Sequence, residues 1–302
     1  MIPAIQSGPA VLYLGDVRQV LGALPSASVQ CCITSPPYWM LRDYNCEGQI
    51  GLEESVEEYI AALLEVFSEV RRVLKDDGTL WLNVGDKYLD RPYPQSNLKT
   101  KDLAGVPWQL ALALREQGWY LRSDIIWSKP NPLPESVSDR PTRAHEYLFL
   151  LAKSAEYFYD AHSIRDTAFD WSRPNRDKRE EGWAKHNGFP GAIDGRHRGF
   201  SHADFSLTGR NKRSVWEIPT AGYPDAHFAT FPEKLVIPCI KAGSREGDLV
   251  LDPFAGSGTT LAASRKLGRR SIGIELQAEY LPLIRKRLAE AAMPLFELEE
   301  AG

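Results

Sequence analysis

The alternation of strand-like and helix-like segments through the first hundred residues constrains the fold of this chain most. Short apolar runs at residues 11–14, 29–33 and 79–84 have the length and content of buried strands. Between them, residues 17–24 and 55–75 place apolar side chains at helical spacing. Strands that alternate with helices in this way indicate a parallel sheet covered by helices, which is an α/β fold.

The alternation breaks off near residue 160 and resumes near residue 234. The intervening residues 161–214 have little periodicity and contain four of the six histidines, so we interpret them as an insertion or a small appended domain. Further strands are predicted at 120–127, 146–151, 248–251 and 271–274, and further helices at 103–117, 234–241, 260–267 and 279–291.

Composition excludes several classes of protein. With 43% hydrophobic and 25% charged residues in 302, the chain is neither collagen-like nor wholly disordered. No apolar run approaches the roughly 18 residues of a membrane helix, and the start lacks a signal-peptide pattern, so we expect a cytoplasmic protein with no membrane partner. The four cysteines lack paired ligand spacing; we predict no metal site and expect reduced thiols.

A glycine-containing loop is the first candidate site. Gly256 and Gly258 lie between a predicted strand and a predicted helix, an arrangement that presents backbone N–H groups and the positive helix end to an anion. Glu275 lies 17 residues after Gly258, at the end of the next strand, where a carboxylate can accept hydrogen bonds from ribose hydroxyls. This pattern predicts a nucleoside-containing cofactor. A dinucleotide fits less well, because Leu261 occupies the third glycine position; the alternative is an ordinary turn with a solvated Glu275.

The sequence TSPPY at residues 34–38 is the second candidate site. Pro36 and Pro37 donate no N–H and favour an extended backbone, so their carbonyl groups are free to accept hydrogen bonds. An exocyclic amine of a base can donate to Ser35 Oγ and to the Pro36 carbonyl, and Tyr38 can stack on the base. The alternatives are a rigid surface turn or a proline-rich ligand for another domain.

The two motifs together resemble those of a known family. TSPPY at 34–38 is similar to the catalytic loop, and DPFAGSGTT at 252–260 to the cofactor loop, of the S-adenosylmethionine-dependent amino-methyltransferases of DNA. Their order matches the permuted, or beta, group, and the similarity covers nearly the whole chain outside 161–214. It implies a Rossmann-like methyltransferase fold, with a mostly parallel seven-stranded sheet flanked by helices and an inserted target-recognition region.

The resemblance assigns the domains and individual residues. It makes 1–160 the catalytic half, 161–222 the target-recognition region and 223–302 the cofactor-binding half. Asp16 fits two roles equally, a helix N-cap or a contact to the cofactor adenine. The implied catalytic residues are Ser35, Pro36, Pro37 and Tyr38, and the implied cofactor-binding residues are Asp16, Phe231, Asp252, Phe254, Gly256, Gly258, Thr259 and Glu275.

The insertion is the predicted DNA-reading part. Residues 161–214 hold eleven Lys and Arg against seven Asp and Glu, a net charge of +4 in a chain whose net charge is −4. Basic side chains interleaved with aromatic ones suit phosphate contact and base reading, although a solvated polar insertion is the alternative. The predicted DNA-binding residues are Trp39, Arg173, Arg176, Arg196, Arg198, Arg210, Lys212 and Arg213.

The implied activity is methylation of the N4 amine of cytosine in DNA, with the base turned out of the duplex. In this family a serine first in the catalytic loop is typical of N4-cytosine enzymes, whereas Asp or Asn is typical of N6-adenine enzymes, so Ser35 favours cytosine. The expected partners are double-stranded DNA and a separately acting restriction endonuclease, with the protein a monomer or homodimer. The alternatives are an N6-adenine enzyme, a methyltransferase of RNA or of protein glutamine, and a DNA-binding module with a vestigial cofactor site.

Overall fold

One mixed sheet organises the protein in a computed structural model that describes residues 2–166, 209–220 and 231–292. Its strands are β1 (Ile5–Ser7), β2 (Ala10–Leu14), β3 (Val29–Thr34), β4 (Leu74–Val84), β5 (Tyr120–Ser128), β6 (His145–Ala152), β7 (Val215–Glu217), β8 (Leu249–Asp252) and β9 (Arg270–Glu275). Their order across the sheet is β1-β2-β9-β8-β3-β4-β6-β5-β7. Strands β1 and β6 run antiparallel to their neighbours, and the remaining neighbouring strands are parallel.

The expected number of strands was wrong. The described residues form nine strands rather than seven, although most pairings are parallel as expected. The two additional strands, β1 and β7, have three residues each and lie at opposite edges of the sheet. Three residues are too few for a two-residue alternation to be recognised. Strand β7 also falls within residues 161–222, which the resemblance assigned to the target-recognition region.

Six helices cover the described part of the sheet in two groups. Helices α1, α2 and α3 pack in sequence on one another, and helices α4, α5 and α6 form a second packed series. Such a doubly wound arrangement buries apolar faces of the sheet on both sides. The helices are α1 (Val17–Gly22), α2 (Val56–Val73), α3 (Val106–Glu116), α4 (Glu233–Gly243), α5 (Thr259–Lys266) and α6 (Leu281–Glu290).

The long helix α2 shows how local sequence sets an element. Ser55 Oγ accepts from the Glu58 N–H, and the Glu58 carboxylate accepts from the Ser55 N–H, which is a capping box that starts the helix. Its apolar face is buried in the core. The helix ends at Val73 and β4 begins at once at Leu74, five residues earlier than expected, because Leu74 pairs with Val29 across a register shift.

Strands β3 and β8 are neighbours although they are far apart in sequence. From β3 the chain continues toward α2, and from β8 it continues into α5, which belongs to the other helical group. A sheet whose connections diverge in this way has a crevice at the carboxyl ends of the two strands, where ligands bind. The chain forms two compact units, residues 1–160 with 214–302, and residues 161–213. No helix in the described ranges is long and apolar enough to cross a membrane.

Candidate active site

The crevice at β3 and β8 brings the two predicted loops together. Ser35 follows β3, and the glycine loop follows β8 on the adjacent strand. The next strand, β9, ends in Glu275, and β2 beyond it leads to Asp16. Parallel strands end at one edge of the sheet, so the side chains predicted for catalysis and for cofactor binding lie at that edge in one row.

A hydrogen bond from helix α2 holds the catalytic loop, residues 34–38, in place. The Tyr59 hydroxyl of α2 donates to the Pro37 carbonyl at 2.7 Å, and no described residue donates to the Pro36 carbonyl. The ring of Tyr38 lies over Gly85, where an added Cβ would be 2.4 Å from Tyr38 Cε2. Gly85 is therefore needed for the ring to take this position, and the Pro36 carbonyl keeps its capacity to accept from a ligand.

The Tyr38 hydroxyl is the centre of a polar network. It donates to Glu146 Oε2 at 2.7 Å and lies 3.3 Å from Asn83 Oδ1, while Ser35 Oγ donates to it at 3.3 Å. Burial, and in second place the charge of Glu146, raises the pKa of Tyr38 well above its usual range, so the hydroxyl keeps its proton. Tyr38 is half-buried. Its predicted stacking on a base stays a prediction.

Three members of this network were not found from the sequence. Asn83 Nδ2 donates to Glu146 Oε2 and to the Tyr147 carbonyl, both at 3.1 Å, and Lys129 Nζ forms an ion pair with Glu146 Oε1. Asn83 lies in the otherwise apolar end of β4, and Glu146 lies in a strand that is mostly buried. A polar side chain inside an apolar strand was the available signal, because such groups need partners when they are buried.

Two carboxyl groups lie at the ends of the adjacent strands β8 and β9. Asp252 is fully buried and accepts from Thr34 Oγ1 at 2.7 Å and from the Phe254 N–H at 3.1 Å. Glu275 is 8% exposed and accepts from the N–H groups of Gly256 and Gln277, at 2.7 and 2.8 Å. Burial raises the pKa of Asp252 to about 6 and that of Glu275 to about 7, against the effect of these hydrogen bonds.

These residues fit a nucleoside cofactor. Gly256 and Gly258 have φ values of 50° and 78°, which favour glycine, and an added Cβ at Gly258 would be 3.1 Å from Ile284. Glu275 uses one acceptor position on each oxygen for backbone N–H groups and keeps others for a ligand. The hydroxyls of Tyr44 and Tyr280 have raised pKa values, chiefly through burial and partly through the charge of Glu275, so both hydroxyls lie near the Glu275 carboxylate.

Four other predicted cofactor residues take definite positions. Asp16 is the N-cap of α1, accepting from the Arg18 N–H at 2.8 Å. Thr259 is buried, and its hydroxyl accepts from the guanidinium of Arg287. Phe254 packs against the core, and Phe231 lines a small pocket that also contains Thr34 and Asn83. A direct contact of any of these side chains with a cofactor stays a prediction.

The predicted DNA-binding residues fall into three groups: one lies in the core, three lie in the second unit, and four lie outside the described residues. Trp39 is 2% exposed, packs against Tyr93 and donates from Nε1 to the Glu53 carbonyl at 2.9 Å, so it lies in the core and offers no ring face to DNA. In the second unit, Arg210 and Lys212 form ion pairs with Asp166 at 3.9 and 3.2 Å, and Arg213 is exposed. Arg173, Arg176, Arg196 and Arg198 lie outside the described residues.

Solved structures share this fold. A DNA modification methylase of Thermus thermophilus, complexed with S-adenosyl-L-methionine, is 28% identical with a TM-score of 0.58, over 93% of this chain and 95% of that one. PvuII DNA methyltransferase, described as cytosine-N4-specific, has a TM-score of 0.68 over 99% of this chain and 93% of its own, but at 19% identity it shows the fold alone. Fold and crevice together define the class of S-adenosylmethionine-dependent methyltransferases.

Sequence comparison narrows this class. A family model described as DNA methylase, of the N6 and N4 type, matches residues 29–286. The Type II methyltransferase M.Cfr9I of Citrobacter freundii is 45% identical over 298 residues, which cover 92% of this chain and 87% of that protein. M.SmaI of Serratia marcescens is 45% identical over 296 residues, 92% and 90% of the two chains. The chain belongs to this DNA methylase family, and it uses S-adenosylmethionine to methylate DNA.

Proposed function

We propose that the protein methylates the exocyclic N4 amine of cytosine at specific sites in double-stranded DNA. The observation that carries the proposal is the position of Ser35, whose hydroxyl stands first in the catalytic loop beside the cofactor loop. A serine at this position is typical of N4-cytosine enzymes in the family that the chain resembles. The order of the two loops further supports membership of the permuted, or beta, group.

The catalytic loop would hold the target amine by its hydrogens. Ser35 Oγ and the Pro36 carbonyl are two acceptors on a backbone that Tyr59 anchors through Pro37. Accepting both hydrogens directs the nitrogen lone pair toward the cofactor side, and positioning of this kind accounts for much of an enzyme's rate enhancement. When bound, S-adenosylmethionine supplies an activated methyl group.

The cofactor side of the crevice would hold the nucleoside. We assign Glu275 to the ribose hydroxyls, because its carboxylate lies at the end of β9 and retains acceptor positions. Asp252 would accept from a cationic or hydroxyl donor of the cofactor through its buried carboxylate. Gly256 and Gly258 allow close approach of the loop backbone. Thr259 acts through the loop conformation, since Arg287 holds its hydroxyl.

Target selection belongs to the predicted target-recognition region, residues 161–222. Its basic side chains would contact phosphates and base edges, and Arg213, which is exposed, is one of them. M.Cfr9I and M.SmaI are named Type II methyltransferases. By analogy we propose that a separate restriction endonuclease shares the target sequence, and that the protein works as a monomer or homodimer in the cytoplasm.

Ser35 variants test the proposal. The protein is expressed in cells whose DNA lacks both N4-methylcytosine and N6-methyladenine, and the extracted DNA is digested to nucleosides and analysed by mass spectrometry. We expect N4-methylcytosine with the wild-type protein and none with Ser35→Ala, while Thr100→Val, an exposed change elsewhere, keeps the product. N6-methyladenine instead would overturn the base assignment and leave the family and the cofactor as they stand.

A further inference from the structure

A chain of hydrogen bonds runs from Ser35 to the largely buried ion pair of Glu146 and Lys129. Ser35 Oγ lies 3.3 Å from the Tyr38 hydroxyl, which lies 2.7 Å from Glu146 Oε2. Glu146 Oε1 forms an ion pair with Lys129 Nζ, and the two side chains are only 16% and 18% exposed. This hydrogen-bond chain therefore connects the loop after β3 with β6 and the end of β5.

The donors and acceptors fix the direction in which the hydrogen bonds donate, from Ser35 through Tyr38 to Glu146. An ionised carboxylate can only accept a hydrogen bond, and an ammonium group can only donate. Because Tyr38 has a single hydroxyl proton and its shortest contact is with the Glu146 carboxylate, that proton lies toward Glu146. The Tyr38 oxygen can then only accept from Ser35, so the Ser35 proton lies toward Tyr38. The lone pairs of Ser35 Oγ remain for an outside donor.

The orientation of Glu146 itself is held by neighbours from three elements. Lys129 at the end of β5 balances its charge, Asn83 of β4 donates to Oε2 at 3.1 Å, and Tyr38 of the catalytic loop donates to the same oxygen. Asn83 is in turn fixed by its second donation, to the Tyr147 carbonyl. A carboxylate with this many partners has little freedom to release Tyr38.

We propose that Glu146, held by Lys129, is a positioning residue that fixes the direction of this chain, so that Ser35 meets the target amine as an acceptor. The inference rests on the proposed role of Ser35. A carboxylate or amide at position 35 would present an acceptor oxygen by itself, whereas a serine hydroxyl can donate or accept and needs its direction set. Glu146 touches neither substrate nor cofactor and acts through Tyr38.

A double-mutant cycle tests the proposal. In Glu146→Gln, the amide can donate to the Tyr38 hydroxyl, which can then donate to Ser35, so the direction of the hydrogen bonds can reverse. We therefore expect kcat to fall at least about tenfold, or ~1.4 kcal/mol. The Kd for S-adenosylmethionine should stay within about twofold. In a Tyr38→Phe background the chain is already broken, and the same substitution should change kcat less than about twofold. A purely structural role would lower kcat by the same factor in both backgrounds and would overturn the proposal.

Two controls keep the result interpretable. Glu69→Gln removes a carboxylate that pairs with Arg72 at 2.8 Å near the end of α2, and should leave kcat unchanged. This end of α2 leads to Leu74, which pairs with Val29 at the start of β3, whereas the catalytic loop follows the other end of β3. Tyr38→Phe removes the hydroxyl and leaves the ion pair intact. Full kcat in that variant would therefore refute the role of the hydrogen-bond chain, even if Glu146→Gln did not fold. The methylated nucleoside is identified in the same reactions: N6-methyladenine would remove the cytosine assignment, while the kcat ratios would still decide the role of Glu146.

Discussion

Thr34 Oγ1 donates a hydrogen bond of 2.7 Å to Asp252 Oδ1, across 218 residues of sequence and between the neighbouring strands β3 and β8. Both side chains are fully buried. The bond joins the residue that precedes Ser35 to the residue that opens the cofactor loop. Methyl transfer requires the target amine and the cofactor at a fixed separation, and this contact ties together the two loops that would hold them.

Removing the Thr34 hydroxyl should therefore cost stability. In Thr34→Val the shape is nearly kept, but the buried Asp252 carboxyl loses its side-chain donor, so we expect the free energy of unfolding to fall by about 1–3 kcal/mol. Urea unfolding measures this change. The exposed Thr100→Val is the matched control and should alter the midpoint little. Equal unfolding midpoints for Thr34→Val and wild type would contradict the account.

Cofactor affinity should depend on pH through Glu275. Burial raises the pKa of this carboxyl to about 7 in the free protein, so it takes up a proton as the pH falls below 7. The ionised form is the one that accepts two ribose hydrogen bonds, so affinity should be full near pH 8 and weaken by up to about tenfold for each pH unit below 7. Titration calorimetry from pH 6 to 8 checks the dependence.

Glu275→Gln separates this effect from a general loss of binding. The amide carries no titrating proton, so the variant should bind S-adenosylmethionine more weakly at pH 8 and lose most of the dependence between pH 6 and 8. Asp252, whose pKa burial raises to about 6, would still contribute at lower pH. A wild-type Kd that stays constant from pH 6 to 8 would rule out Glu275 as the ribose ligand.

Arg287 should hold the cofactor loop in shape. Its guanidinium is buried on α6 and donates to the Ser257 hydroxyl at 2.7 Å and to the hydroxyl of Thr259. In Arg287→Met both hydroxyls lose this donor, and we expect the Kd for S-adenosylmethionine to rise roughly tenfold, or ~1.4 kcal/mol. Arg285→Met, an exposed change on the same helix, is the control. Equal cofactor affinity in the two variants would show that Arg287 has no such role.

Gly85 should be required for catalysis and dispensable for cofactor binding. A Cβ there would be 2.4 Å from Tyr38 Cε2, so Gly85→Ala must displace the ring and break its contact with Glu146. We expect kcat to drop at least about tenfold with an unchanged cofactor Kd. Gly22→Ala is the control, because an added Cβ at Gly22 meets nothing within 4 Å. If Gly85→Ala turned over normally, the position of Tyr38 would not matter.

The central part of the fold and both loops could be predicted from the sequence because each has a strong local signal. Apolar runs predicted the seven longer strands, and apolar residues at helical spacing predicted the helices. The glycine and proline motifs predicted the two loops at the crevice. The edge strands β1 and β7 could not be predicted, since three residues carry no period. Strand β7 also depends on a partner, β5, that is far away in the sequence.

The parts of the site that were missed depend on contacts between distant residues. Glu146 and Lys129 have no motif of their own. The pairing of β6 with β4 brings Glu146 beside Tyr38, and the pairing of β5 with β6 brings Lys129 beside Glu146. Trp39 was predicted to bind DNA, yet it packs in the core against Tyr93. Aromatic residues are common both in cores and at binding surfaces, so sequence position alone does not separate the two.

An isotope experiment decides whether the protein methylates N4 of cytosine. The purified protein is incubated with unmethylated genomic DNA and S-adenosylmethionine carrying a deuterated methyl group, and the DNA is digested to nucleosides for mass spectrometry. The label excludes methyl groups added by a host, and Ser35→Ala serves as the blank. Deuteromethyl label on N4 of deoxycytidine is the predicted result. Label on N6 of deoxyadenosine, or on no nucleoside, would contradict the claim.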